Sequence, residues 1–392
     1  MHASAQTAGP KDVVTWALVG LSLAIAFFGV ILFTELGQML NLPSAWLYAS
    51  YPYLGTISLA LLAVAAFVLY RHLSGVFMTR RVLTLYLVAL VGMVLVVNYF
   101  VPYIWLRGHH HTAEFITVAE ADKLLEENED VFVLAIGDEA RAYPKDWMMI
   151  PHIAGDTVGG EDVVMTYCVL TNLPMAFSSN IDGQPANLKV VSQAHNNLVM
   201  TDTHSGELYQ QITATAPASG KTLDRQAGQR MPWRAFKALY PDGEVFRVVE
   251  SAPWAWIDAI TYKLFTFSLD SHYNGPDPLF PTLRLDDDRL PAKEQIWGLN
   301  LGGEQVAFSR EFLEQNPVHS TTVGGEPVLL AWFPAYETLS VFSRRIDGAE
   351  VDVTDTDVHG NTPAGRLERL PQYPRVFWMV WSHWFPETQV NL

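Results

Sequence analysis

Three apolar runs, all before Gly108, constrain this 392-residue chain more than any other feature. They cover about residues 13–33, 54–70 and 82–101, and each approaches the ~20 residues that cross a bilayer as an α-helix. Each run is therefore predicted to be a transmembrane helix. Because the first run is long, lacks a strongly basic start and precedes two more, we expect a retained helix, not a cleaved signal peptide.

Arginines and aromatic residues beside these runs predict their orientation. Residues 71–81 hold three arginines, whereas residues 37–53 hold no charge and carry four aromatic residues of the kind found at membrane interfaces. The positive-inside rule makes residues 71–81 and the N-terminus cytoplasmic. We therefore predict a protein of the cytoplasmic (inner) membrane, in contact with the lipid bilayer, whose C-terminal part is periplasmic or extracellular.

Charge is unevenly distributed along the chain. Five of the 25 Lys and Arg residues and two of the 41 Asp and Glu residues precede Gly108, which leaves 20 basic and 39 acidic residues after it, a net charge near −19. So acidic a surface argues against nucleic acid as a partner. The only cysteine, Cys168, excludes an intrachain disulfide and any Cys-x-x-Cys motif. That residue is a buried thiol, a metal ligand or a nucleophile.

The part of the chain after the apolar runs repeats itself at a constant offset. The offset aligns Thr157–Glu161 with Thr322–Glu326 and gives 15 identities among the 53 positions from Val131 to Gly183. The shared positions are mostly turn glycines and alternating apolar residues, which is typical of short strands. The expected fold is an N-terminal three-helix transmembrane segment plus a mainly β (α+β) extracytoplasmic domain built from an internal duplication.

These patterns divide the chain into four segments. They are a transmembrane domain at residues 1–107, a first β-rich repeat at 108–250, an inter-repeat segment and linker at 251–291, and a second, degenerate β-rich repeat at 292–392.

Four shorter segments carry predictions of their own. Residues 119–127 are predicted to form a short amphipathic helix, and the aromatic residues 375–384 a strand. The apolar residues 253–267 are predicted to pack on the domain or to rest on the membrane. His109–His111 are interpreted as interfacial histidines, with a metal-capturing or proton-responsive patch as the alternative.

The chain contains an ordered set of motifs: Ala142-Tyr-Pro144, His152, Asp156 with Val158-Gly-Gly160, Tyr167-Cys168 with Leu170-Thr171, Asn197-Leu-Val-Met200 with Asp202, and Asp288-Arg-Leu-Pro-Ala-Lys293. With these motifs the chain resembles an uncharacterised extracytoplasmic family of unknown function, in its membrane-anchored form. The resemblance covers about residues 120–390, and it implies the fold and the location of a site but no reaction. Val169 stands where the family usually has proline, and Thr171 where some members have a second cysteine, which argues against dithiol chemistry.

The first repeat carries all the candidate site residues, because the second has Pro317 in place of His152 and Phe333 in place of Cys168. An imidazole, a thiolate and a thioether form the ligand set of a copper-selective site. One hypothesis is therefore a copper site whose ligands are His152, Cys168, His195 and Met200, with Tyr167, Thr171, Asp156 and Asp202 in support.

A second hypothesis is a thiol-dependent enzyme for acyl or thiol transfer. Cys168 would be the nucleophile, His152 the base, and Asp156 or Asp202 the group that orients the base. No motif for stabilising an oxyanion accompanies these residues.

The third hypothesis is non-catalytic, and we take it as the sequence-based prediction. The protein would be an accessory or binding subunit of a larger membrane complex. Its 12 tryptophans would serve as interface anchors, and the other subunits would be its partners.

Overall fold

A computed structural model describes residues 10–75, 77–105, 114–247, 260, 263, 272–273 and 275–392. The chain separates into two compact units, Met1–Trp105 and Leu106–Leu392. The predicted segment 253–267 lies outside the described residues except for Ile260 and Lys263, and His109–His111 lie outside them as well.

The first unit is helical, and three of its helical segments are long and apolar enough to cross a membrane: Asp12–Phe33, Ser44–Ser74 and Arg80–Pro102. This confirms the prediction of three apolar helices. The elements are α1 (Pro10–Phe33), α2 (Glu35–Met39), α3 (Ser44–Ser50), a 3-10 turn (Tyr51–Tyr53), α4 (Leu54–Ser74), α5 (Arg80–Leu95) and a π-helix (Val96–Trp105).

The helices of this unit contact one another through an apolar seam that includes Val68 of α4 and Leu90 of α5, both fully buried. A polar pair crosses the same seam, since the Ser22 hydroxyl lies 3.1 Å from the Tyr86 hydroxyl. Other apolar side chains point outward, such as Leu73, which is 77% exposed. An outward apolar surface around a satisfied backbone is what a lipid environment requires of a helix.

The second unit is mainly β, as predicted. Its first strands are β1 (Glu114–Thr117), β2 (Asp130–Ile136), β3 (Glu139–Pro144), β4 (Ile153–Val158), β5 (Glu161–Cys168), β6 (Leu173–Ser178), β7 (Asn180–Ile181), β8 (Gln184–Pro185), β9 (Leu188–Ala194), β10 (Asn197–Asp202), β11 (Leu208–Gln210), β12 (Arg225–Gln226), β13 (Gly228–Pro232) and β14 (Glu244–Arg247). The remaining strands are β15 (Gln295–Leu301), β16 (Glu304–Phe308), β17 (Val318–Val323), β18 (Glu326–Phe333), β19 (Thr338–Ser343), β20 (Arg345–Ile346), β21 (Ala349–Glu350), β22 (Asn361–Thr362), β23 (Gly365–Arg366), β24 (Tyr373–Phe377) and β25 (Gln389–Asn391).

These strands form five larger sheets and three two-stranded ribbons within the described residues. The larger sheets have the orders β1-β14-β3-β2-β13, β12-β6-β5-β4, β11-β10-β9, β24-β15-β16-β25 and β17-β18-β19. Short helices join them: α6 (Val118–Ala121), a 3-10 turn (Asp146–Met148), α7 (Trp233–Leu239), α8 (Arg310–Gln315) and α9 (Trp378–Trp384).

Many strands in the first half of this unit have a counterpart in the second half. Strands β2, β4, β5, β6, β7 and β8 match β15, β17, β18, β19, β20 and β21 at both ends, at the same offset that separates Thr157 from Thr322. The order β14-β3-β2-β13 matches β25-β16-β15-β24. For the strands that follow β8 and β21, corresponding residues of the two halves are fewer positions apart. The reason is that the first half has additional residues there, which include the sheet β9-β10-β11. The first half thus has one additional large sheet.

The paired glycines that the repeat preserves have the same structural role in both halves. Gly159 and Gly324 have φ angles of +58° and +59°, which L residues with a side chain rarely adopt. A Cβ atom at either position would collide with the backbone carbonyl at the end of β2 or β15. Their amides donate to the side chains of Glu139 and Glu304, at 3.2 and 2.7 Å. Glycine is therefore required at both positions for the turn to pack against the end of β2 or β15.

Two local predictions need correction. The strand predicted for residues 375–384 ends at Phe377 and continues as α9, because Trp378 and Trp381, three residues apart, suit a helix that packs on Tyr373. The Tyr373 and Trp381 ring centroids lie 5.0 Å apart. The helix predicted for residues 119–127 is only the single turn Val118–Ala121.

Candidate functional site

Cys168, on which the sequence hypotheses centre, ends β5 inside the protein. It is fully buried, and its Sγ lies 3.8 Å from the carbonyl oxygen of Asn196. Burial raises the pKa of the thiol despite the hydroxyl and amide of Thr171 beside it. A nucleophilic cysteine requires the opposite, since the thiolate is the reactive form. The environment of Cys168 therefore does not favour its thiolate form.

His152 is also buried, with 1% of its surface exposed. Its backbone carbonyl accepts from the Tyr167 amide at 2.9 Å, which places it beside β5. Burial lowers the pKa of His152 to about 4. At neutral pH the imidazole is uncharged.

The two predicted orienting carboxylates have other partners. Asp156 on β4 accepts from the Tyr143 hydroxyl at 2.8 Å and lies 3.3 Å from Arg141. Asp202 accepts from the backbone amides of Asn187 and Ser205, at 3.2 and 2.8 Å, and so fixes the turn after β10. These contacts give both carboxylates structural roles.

The remaining predicted ligands lie in the additional sheet of the first half. His195 occupies the β9–β10 turn, where Nδ1 lies 2.8 Å from the Thr282 carbonyl and the ring centroid lies 4.8 Å from that of His383. Met200 is fully buried in β10. Across the part of the chain that the structure describes, no group of three or more His, Cys, Asp or Glu residues could hold a metal ion. The copper hypothesis stays a prediction, and no common ligand position supports it among the described residues.

A different group of residues surrounds the loop that joins β5 to β6, residues 169–172. All four carbonyl oxygens of this loop accept hydrogen bonds from distant parts of the chain, so its conformation is fixed. The donors are the Tyr273 hydroxyl to Val169 (3.0 Å), His272 Nε2 to Leu170 (3.1 Å), the Phe377 amide to Thr171 (3.1 Å) and Arg230 Nη1 to Asn172 (3.2 Å).

Four cationic side chains contact this loop or the groups around it: Lys145, Arg230, Lys293 and Arg375. We call them, together with His272, the basic site. Arg230 and Arg375 contact opposite oxygens of the Asp130 carboxylate, at 2.7 and 2.6 Å. Burial alone would raise the pKa of Asp130, but the two guanidinium groups hold it below its ordinary value. Asp130 therefore remains ionised and links the two halves of the domain.

The two lysines flank a group of three rings, those of His272, Tyr273 and Phe377. Lys145 Nζ lies 5.1 Å from the Tyr273 ring centre, and Lys293 Nζ lies 5.1 Å from that of Phe377. The Tyr273 and Phe377 rings are themselves 5.7 Å apart. Ammonium groups over aromatic faces are stabilised by the ring quadrupole without being neutralised.

Lys293 also contacts His272, whose Nδ1 lies 3.1 Å from its Nζ. Burial and the charge of Lys293 lower the pKa of His272 to about 4. The neutral ring therefore donates through Nε2 to the loop carbonyl and accepts from Lys293 through Nδ1. Burial lowers the pKa of Lys293 to about 8, and burial together with the charge of Arg230 lowers that of Lys145.

Only one carboxylate contacts the cations of the basic site directly. Among the described residues, Asp130 is the only carboxylate within 4.0 Å of any of its four cations. Asp146, Asp277 and the partly buried Glu129 lie farther away and interact with Lys145 or Lys293 through their charges. The ammonium groups of the two lysines are therefore not in contact with a carboxylate.

Comparison with known families identifies the chain at the level of its family. The family described as "Protein of unknown function (DUF3179)" matches residues 101–388, almost three quarters of the sequence. The chain belongs to this family. No curated protein and no solved structure matches the chain.

The basic site of this DUF3179 member was not predicted from its sequence, although two signals point to it. Lys293 closes the segment Asp288-Arg-Leu-Pro-Ala-Lys293, and Lys145 directly follows Ala142-Tyr-Pro144. The structure brings both lysines to the loop that follows Tyr167-Cys168. His272, Arg230 and Arg375 belong to none of the quoted motifs.

Proposed function

We propose that the protein is a membrane-anchored binding protein whose β-rich domain holds a small oxyanion, a carboxylate or a phosphate, at the basic site. The observation that carries this proposal is the gathering of four cations at a fixed loop with one close carboxylate. Cationic groups with donors at partly buried positions are the usual ligands of carboxylate and phosphate groups. The predicted docking on a larger membrane complex stays a prediction.

We infer that an internal duplication produced this site. Supporting it are the constant offset of six strands and the matching order of two sheets. Arg230 and Arg375 occupy corresponding positions, each the third residue of its strand, β13 or β24. The counterpart of Asp130 is Gln295, which accepts from Arg375 at 2.7 Å. Divergence at this one position leaves a single carboxylate for two arginines, which favours an anion-binding site between the halves.

Anion binding is expected to depend on both lysines. Full-length protein in detergent is titrated calorimetrically with phosphate and with succinate, and we expect saturable binding of at least one of them. Lys145→Gln and Lys293→Gln should each weaken that binding about tenfold or more, since each removes a charged donor. Binding should also take up protons, because an anion raises the lowered pKa of Lys293. Titration in two buffers of different ionisation enthalpy measures that uptake.

The matched control is Lys221→Gln, which changes a lysine outside the basic site. Lys221 is half exposed and pairs with Asp182 at 2.5 Å. This substitution should leave the anion affinity unchanged. The proposal fails if neither anion binds saturably, or if Lys221→Gln weakens binding as much as Lys145→Gln does.

The same proposal includes an orientation for the membrane segment. The three arginines in residues 71–81 support a cytoplasmic position for that connection, so the β-rich domain would be periplasmic or extracellular. Alkaline phosphatase, which folds only outside the cytoplasm, should be active when fused after Leu392 and inactive when inserted after Gly75. The reverse pattern of activity would contradict this orientation.

A further inference from the structure

The helical unit has a pocket, open on one side, that none of the sequence hypotheses used. A cavity of about 90 Å³ lies between α1, α4 and the junction of α5 with the π-helix. It is larger than the water-sized voids of a well-packed interior. Most of its wall is apolar, with Phe28, Leu32, Leu61 and Val94 among the lining residues.

One polar pair interrupts the apolar wall. Asn98 donates through Nδ2 to the Ser58 hydroxyl oxygen and to the Val94 carbonyl, both at 2.9 Å. Both Ser58 and Asn98 line the cavity, and Ser58 is only 8% exposed. Since Asn98 fills an acceptor position of Ser58, the hydroxyl proton of Ser58 is directed elsewhere.

The Ser58 proton has no acceptor among the residues that the structure describes. Other hydroxyl groups in the same helices donate to their own backbone: Ser22 to Val19, and Ser50 to Trp46. A buried donor left without an acceptor is costly in a hydrocarbon environment. The cavity therefore presents one polar donor in an otherwise apolar wall.

The position of this donor along the helices indicates what could accept from it. Asn98, which bonds Ser58, lies four residues before Pro102, where the third apolar segment ends. At about 1.5 Å per residue, Asn98 lies roughly 6 Å inside the end of that segment. That depth is close to the boundary between hydrocarbon and head groups.

We propose that this cavity binds the carbonyl end of one acyl chain of a bilayer phospholipid, whose ester carbonyl accepts the hydrogen bond from Ser58. The surrounding helix surfaces are apolar, with Leu59 and Leu85 each 70% exposed, so hydrocarbon is the medium that reaches the cavity. An acyl chain matches the apolar wall, and an ester carbonyl is an acceptor without a proton of its own. The lipid would be a fixed component of the helical unit.

Gly29 offers a direct test, because it lines the cavity and a Cβ atom there would meet nothing within 4 Å. Gly29→Leu should therefore fill the cavity without disturbing α1. Gly20 provides the matched control: it lies on the same helix, its Cβ position is equally open, and it does not line the cavity.

The full-length protein is reconstituted into phosphatidylethanolamine and phosphatidylglycerol vesicles that contain a phospholipid with a diazirine in one acyl chain. After irradiation, labelled peptides are mapped by mass spectrometry. We expect labelling of peptides around Leu32, Leu61 and Val94 to fall about fivefold or more in Gly29→Leu and to match the wild type in Gly20→Leu. Ser58→Ala, which keeps the cavity, should reduce the same labelling two- to threefold.

Equal labelling of these peptides in the wild type, Gly29→Leu and Ser58→Ala would overturn the proposal, because it would mean contact with exchanging surface lipid only. Circular dichroism of each variant checks that the helices are retained. If Gly29→Leu loses helix content, the labelling of Ser58→Ala alone tests the proposal, since this substitution removes one oxygen atom and adds no side-chain volume.

Discussion

Asp130→Asn is expected to lower the free energy of unfolding of the β-rich domain by about 3 kcal/mol, because it leaves a buried guanidinium without its counter-ion. The Arg230 side chain is 1% exposed, and Asp130 is its only carboxylate partner among the described residues. The same substitution removes the bond that ties Arg375 of the second half to the first. Thermal unfolding of the full chain in detergent should show a midpoint lower by roughly 6 to 12 °C.

Glu314→Gln is the control for this prediction, since it also removes one carboxylate from an arginine pair. Arg310 and Glu314 are 52% and 49% exposed, four residues apart around α8. Exposed pairs of this kind contribute at most about 0.5 kcal/mol. Equal destabilisation by Glu314→Gln and Asp130→Asn would contradict the buried role of Asp130. Asp130→Asn should not weaken anion binding, because it makes the basic site more positive.

Local patterns were sufficient to predict most of the architecture. The three apolar helices follow from run length, which the hydrocarbon thickness fixes. The hairpin β2–β3 follows from alternation around Gly137, whose φ of +59° a glycine accepts readily. These predictions succeed because each depends on neighbouring residues alone. Prediction from a local pattern fails where a strand and a helix share one aromatic run, as between Phe377 and Trp378.

The basic site depends on contacts that no local pattern contains. Asp130 and Arg375 are 245 residues apart, and Lys145 and His272 approach the same loop from separate segments. The net charge near −19 describes the domain as a whole and does not indicate that four cations lie around one loop and its neighbours. A fold-level prediction would have had to place β13 beside β24 before these residues could be recognised as one group.

The hypotheses built on Cys168 relied on the rarity of the residue and not on its surroundings. Cysteine is among the residue types most often buried, and β5 carries Cys168 into the core while its neighbour Tyr167 points to the basic site. The Tyr167 hydroxyl lies 2.8 Å from that of Tyr273. The motif Tyr167-Cys168 therefore indicated where the basic site lies. The residues that face this site are Tyr167 and the loop of residues 169–172, not Cys168.

The stability of the domain is expected to fall as the pH decreases from 7 to 5, in part because His152 is buried as the neutral imidazole. The unfolded chain binds a proton at this residue near pH 6.5, whereas the folded protein does so only at about 4. Between these values the unfolded state binds more protons, so acid favours unfolding. From pH 7 to pH 5 this single group should account for about 2 kcal/mol.

His152→Gln removes the titrating ring, so its free energy of unfolding should change by about 2 kcal/mol less between pH 7 and pH 5 than that of the wild type. Denaturant unfolding of the full chain in detergent at the two pH values measures this difference. His272, whose pKa is lowered in the same way, accounts for part of the dependence that remains in His152→Gln. A His152→Gln variant with the full wild-type pH dependence would show that His152 is protonated inside the folded protein, and the burial argument would then be wrong for this site.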